Sequence, residues 1–137
     1  MPQKAPVSQV MTTKVQTADV RDSLSTVRRM VAAGGFHHVP ILDGRELVGI
    51  ISSRDLVQVY RHLAPNRSET NEFELGEEPS VSHTMTTDLV TMRSDESIEK
   101  AIDTLGDGRI HSILVLDGDD MLIGIVTNID LLEYLFA

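Results

Sequence analysis

Apolar residues recur along this chain with two different periods. Through Leu24, Val27 and Val31, and again through Ile98, Ala101, Ile102 and Leu105, they return every three or four positions, the spacing of one helix face. Gly34 and Gly108 follow these runs and predict their ends, since glycine accepts the backbone turn that closes a helix. Compact β-branched stretches come next: His38 to Leu42 and Leu47 to Ser52 around Asp43-Gly44, then Ser112 to Leu116 and Leu122 to Thr127 around Asp117-Gly118. Two such runs joined by Asp-Gly predict a β-hairpin. Second helices should open at Ser52-Ser53-Arg54-Asp55 and Thr127-Asn128-Ile129-Asp130, where a hydroxyl precedes a carboxylate by three residues as in a capping box.

The resemblance between these two series is a true internal repeat. Sliding the chain by 74 positions sets Val7-Ser8 on Val81-Ser82, Met11-Thr12-Thr13 on Met85-Thr86-Thr87, Thr17 on Thr91, Ser23 on Ser97 and His37 on His111. One additional residue in the second hairpin turn moves the spacing to 75, after which Leu47, Gly49, Ile50, Asp55 and Leu56 meet Leu122, Gly124, Ile125, Asp130 and Leu131. Each copy reads β-α-β-β-α, an α/β (α+β) unit with one apolar side that roughly 55 residues cannot easily bury alone. The two copies are expected to pack sheet to sheet with pseudo-twofold symmetry. The expected organisation is a first repeat over 7–63, an acidic linker over 64–80 and a second repeat over 81–137. The linker carries Pro65, Pro79, Gly76 and the glutamates 69, 72, 74, 77 and 78, and it reads as a solvated, flexible tether, the alternative being a partner-docking segment around Phe73 and Leu75.

Composition narrows the functional classes. With 137 residues, 41% of them apolar, the chain suits one compact module and leaves no room for a catalytic domain of ordinary size. Twelve Lys and Arg stand against 21 Asp and Glu, and the net charge of −9 repels phosphate backbones and anionic membrane surfaces. Neither nucleic acid nor membrane is therefore an expected partner. Without cysteine there is no disulfide framework and no thiolate zinc site, which suits a reducing compartment. No apolar run has signal-peptide or bilayer-spanning length, so the expectation is a soluble, cytoplasmic protein.

The ordered set Val10-Met11-Thr12, Phe36 to Gly44 and Leu47 to Leu56, repeated through His111 to Asp117 and Leu122 to Leu131, resembles a tandem pair of cystathionine β-synthase-type (CBS) domains. The likeness covers nearly the whole chain outside the linker, and it implies a stand-alone pair. It further implies two symmetric clefts that bind adenosine-containing ligands such as AMP, ADP, ATP or S-adenosylmethionine, with magnesium accompanying ATP and no other cofactor required. A disc-shaped homodimer and an unidentified regulated protein partner are implied as well.

On that resemblance Asp55 with Ser52, and Asp130 with Thr127, are the ribose readers, and Asn128 is a further ligand-binding residue. A carboxylate suits this role because charge-assisted hydrogen bonds are about twice as strong as neutral ones. Simple helix capping is the competing account, and one side chain can serve both ends. His37 and His111 occupy the position of the phosphate-contacting histidine, with His38, Arg54 and Arg109 as further cations nearby; each is otherwise an ordinary surface residue. Val39-Pro40 and Ile113 would flank the base, and Thr17 and Thr91 would line the clefts. Leu114 replaces the proline of the first copy, so two unequal sites are expected, the first the better.

Enzymatic motifs are missing from the sequence: it has no P-loop, no G-x-G-x-x-G after a strand, no G-x-S-x-G and no H-E-x-x-H. The five histidines lie mostly in unlike contexts, and His37 and His38 would point to opposite faces of a strand, which disfavours a metal cluster. The reading is therefore a regulatory sensor of an adenine nucleotide and not an enzyme. A ligand-independent module that docks on an enzyme or transporter is the alternative.

Overall fold

The computed structural model describes residues 4–34, 36–63 and 79–137. The fold is mixed α/β, with a three-stranded sheet in each repeat. In chain order the first copy gives β1 (Ala18–Asp19), α1 (Leu24–Gly34), β2 (His38–Asp43), β3 (Glu46–Ser52) and α2 (Ser53–Leu63). A short helix α3 (Val81–Thr84) then precedes β4 (Thr91–Arg93), α4 (Ile98–Gly106), β5 (Ser112–Leu116), β6 (Leu122–Thr127) and α5 (Asn128–Leu135). The order β-α-β-β-α thus appears twice, as the periodicity requires. In each sheet the first strand runs parallel to the second and the second antiparallel to the third, in the orders β1-β2-β3 and β4-β5-β6.

The serines that the repeat aligns start the first helix of each copy. Ser23 Oγ accepts from Thr26 N at 3.1 Å, and Ser97 Oγ accepts from Lys100 N at 3.2 Å, each filling an orphan donor of the opening turn. At the other end the copies differ. Gly108 takes φ +86 just beyond α4, the conformation expected of a terminating glycine, whereas Gly34 is still the last helical residue of α1. Its lack of a side chain serves packing instead, since a Cβ there would collide with the Phe36 ring. The hairpins also diverge at the inserted residue. In the first, Gly44 holds the positive φ of 63; in the second that backbone passes to Asp120, and Asp117 Oδ1 organises the turn by accepting from Asp119 N at 2.8 Å and Met121 N at 3.0 Å.

The chain forms two compact units, whose limits differ from those of the sequence repeats. One is continuous, Gln16–Asp88; the other joins Met1–Val15 to Leu89–Ala137. In the continuous unit Ala18, Leu24, Val27, Val39, Ile41 and Ile51 pack with Val81. In the two-segment unit Met92, Ile98, Ala101, Leu105, Ile113, Val115, Val126 and Leu131 pack with Val7. The leading segment of each copy therefore completes the core built by the other copy's strands. Each segment also pairs with the free edge of the third strand: Thr12 exchanges backbone hydrogen bonds of 2.8 and 3.0 Å with Ile125, and Thr86 does so with Ile50 at 2.9 and 3.0 Å. Each bridge satisfies one N–H and one C=O of an edge that would otherwise be open. Residues 64–78, including Phe73 and Leu75, lie outside the described residues.

Candidate ligand-binding site

Strand register gathers the predicted residues of the first copy at one end of its sheet. His38 stands opposite Ser52 across β2 and β3, Val39 opposite Ile51 and Pro40 opposite Ile50. Because β1 runs parallel to β2 with Ala18 beside Ile41, exposed Thr17 lies at the same end. The His37 carbonyl accepts from Ser53 N at 2.9 Å and so ties the entry of β2 to the entry of α2. His37, His38, Ser52, Arg54 and Asp55 thus lie on the backbone where β3 hands over to α2, with Thr17 at the same end of the sheet. Val39 has no exposed surface and Pro40 is buried, so any part they play in binding falls to their backbone.

The second copy repeats this layout within its own unit. Thr91 stands beside Leu114, Ile113 opposite Val126 and Ser112 opposite Thr127, which brings exposed His111 and Asn128 to the same end. The side chain of Ile113 is fully buried.

Both aspartates form the predicted capping boxes. Ser52 N and Oγ donate to Asp55 Oδ2 at 2.8 and 3.0 Å, and Asp55 N donates back to Ser52 Oγ at 3.2 Å. Thr127 N donates to Asp130 Oδ2 at 2.8 Å, and Thr127 Oγ1 approaches the same oxygen at 3.4 Å. Reciprocal capping of this kind holds a half-buried carboxylate in one orientation at a helix N-terminus, where the helix dipole favours its negative charge. The two differ in their further surroundings. Thr12 Oγ1 donates to Asp130 Oδ1 at 2.7 Å. Asp55 instead borders a cavity of about 330 Å³ in the continuous unit.

That cavity contains residues that the sequence reading passed over. Asp55, Gln58, Val59 and His62 line it from α2, one helical face at i, i+3, i+4 and i+7; Pro79, His83 and Thr84 close it from the segment carrying α3. His83 Nδ1 and Ser80 Oγ are 2.9 Å apart, and Ser80 Oγ also accepts from His83 N at 3.1 Å, which fixes the ring beside the cavity. The α2 face was readable from its spacing, but His83 is brought in by tertiary packing. Among the described residues no group of three His, Cys, Asp or Glu side chains could hold a metal ion. A wall of one carboxylate, two imidazoles, an amide and a hydroxyl offers both donors and acceptors to a polar ligand.

The family profile described as CBS domain matches residues 7–62 and again 81–137. The chain belongs to the CBS domain family. A CBS domain-containing protein of Dictyostelium discoideum is 30% identical over 96% of this chain and 92% of its own length. The chain spans 46%, 36% and 22% of three longer relatives, two uncharacterized proteins of Methanocaldococcus jannaschii and a homoserine O-acetyltransferase of Methanosphaerula palustris. Among solved structures, the CBS domain pair of protein MJ0100, in complex with 5-methylthioadenosine and S-adenosyl-L-methionine, superposes with a TM-score of 0.76 at 25% identity, covering 96% of this chain and 99% of that one. CBSX2 in complex with AMP superposes with a TM-score of 0.79 at 21% identity, covering 96% of each chain. In this CBS pair no helix among the described residues is long and apolar enough to cross a membrane.

Proposed function

We propose that this CBS pair is a regulatory module that binds an adenosine-containing ligand, AMP, ADP, ATP or S-adenosylmethionine, with Asp55 reading the ribose hydroxyls. The observation that carries the reading is the Asp55 carboxylate, fixed by Ser52 at the start of α2 and bordering a cavity of about 330 Å³. That volume lies at the lower end of the range of small-ligand sites. Thr17, His37, His38 and Arg54 stand at the same sheet end and supply hydroxyl and cationic groups for the remainder of a nucleotide. Support comes also from two CBS pairs of the same fold, whose structures hold AMP in one case and S-adenosylmethionine in the other. A ligand acts on such a module by preferring one of its arrangements, which is how binding would be passed to a regulated partner in the cytoplasm.

Thermal melting with each of the four ligands tests the proposal. At a hundred times its Kd, a ligand stabilises the protein by about 2.7 kcal/mol, an upward shift of roughly 10 °C for a chain of this size. Asp55→Ala should remove most of the shift, and a flat response to every adenosine ligand at millimolar concentration would reject the reading.

A second reading is favoured by exposed apolar side chains: Val57 on α2, and Ile129, Leu132 and Phe136 on and after α5, are between 51% and 79% exposed. Ile129, Leu132 and Phe136 recur at the spacing of one helical face, and an exposed apolar face suits a homodimer or a docked enzyme. Capture of one constant partner regardless of nucleotide would favour this reading over the first.

A further inference from the structure

We infer that Thr12 closes the carboxylate of Asp130 to a ribose, so that each chain presents one competent reader, Asp55, and one held shut. This rests on the proposed function and specifies how its two sites differ. A carboxylate offers about four lone-pair positions. On Asp130, Oδ2 accepts from Thr127 N and Thr127 Oγ1, and Oδ1 accepts from Thr12 Oγ1 at 2.7 Å, so three are taken. A ribose diol donates twice and finds one position open. The Thr12 backbone is pinned, since it exchanges two hydrogen bonds with Ile125 and the neighbouring Met11 side chain lies over Gly124.

The first copy supplies the internal control. Thr86 stands to Ile50 and Asp55 as Thr12 stands to Ile125 and Asp130, with the same pair of backbone hydrogen bonds. Among the described residues the Thr86 hydroxyl makes no bond to Asp55, and Asp55 borders the cavity instead. Equal sequence at equal register thus yields a carboxylate beside a cavity in one copy and a latched one in the other. A hydrogen bond to a charged group that a ligand must displace lowers its affinity roughly tenfold or more.

Isothermal titration of the full chain with AMP, and in parallel with S-adenosylmethionine, decides the matter. The wild type should show one event per chain, lost in Asp55→Asn. Thr12→Val keeps the branched shape and removes the donor; it should add a second event, or strengthen a weak one roughly tenfold, and that gain should vanish when Asp130→Asn is combined with it. Thr12→Ser, which restores the donor, should titrate like the wild type, and circular-dichroism melting confirms that each variant is folded. A folded Thr12→Val that titrates like the wild type overturns the latch while leaving the proposed function standing, as do two equal events in the wild type. Absence of binding in wild type and variant alike rejects the proposed function, and the latch with it.

Discussion

Two carboxylates outside the site are held in their charged form by neighbouring donors. Asp19 sits below the usual carboxylate range, chiefly because the Arg21 backbone N–H donates to it, with the Arg21 guanidinium and Gly44 N–H adding to the effect. Glu96 is lowered first by the Lys100 ammonium and then by Arg93 N–H, which donates at 2.7 Å. A carboxyl whose folded pKa lies below its unfolded value holds fewer protons when folded, so its stabilisation is present above the unfolded pKa and fades as pH falls through the folded one. Comparing Glu96→Gln with the wild type isolates this from the relief of charge repulsion that acid brings to the whole chain. The wild type should melt higher at pH 7, and the gap should shrink below about pH 4.5, the ordinary value for glutamate. A gap independent of pH would show that the Glu96 contacts contribute nothing through ionisation. The candidate site is partly legible at this scale too. Ser52 with Asp55 and Thr127 with Asp130 announce themselves by spacing, whereas Thr12 lies 118 positions from Asp130 and reaches it only through the fold.

At the scale of elements, local chemistry was a dependable guide. The hairpins and both α2 and α5 stand within a residue or so of where the periods place them, because β-branched runs, a turn between them and a hydroxyl cap all act over a few residues. What escaped is the docking of the short leading segments. A Cβ on Gly49 would run into the Met85 sulfur, and one on Gly124 would lie 2.5 Å from Met11 Sδ and 2.9 Å from its Cγ. The glycines that look like ordinary strand interruptions are the seats of methionines that cap each sheet edge. Gly49→Val and Gly124→Val should therefore each cost roughly 1–3 kcal/mol by overpacking, read as a lower denaturant midpoint at unchanged slope. Gly118, with open space where its Cβ would stand, is the control and should tolerate alanine. Equal midpoints for all three would remove the methionines from the account of edge capping.

For the molecule as a whole, the repeat was plain in the sequence and the crossing of its segments was not. The reason lies in the repeat itself. Val7 and Val81, Met11 and Met85, Thr12 and Thr86, and the receiving Gly49 and Gly124 are identical pairs, so a leading segment fits either copy and no local signal says which it joins. Leu63 and Pro79, the described residues on either side of 64–78, belong to the same compact unit, and the passages between units fall at Val15–Gln16 and Asp88–Leu89. A single protease cut within residues 64–78 would consequently leave two pieces that are each threaded through both units. Denaturing gels should then resolve two bands, while gel filtration of the nicked protein gives one peak at the intact size. Separation of the pieces under native conditions would contradict the crossing. Each copy lends the other a segment, Val7 to one core and Val81 to the other, so neither core closes without a piece of both repeats.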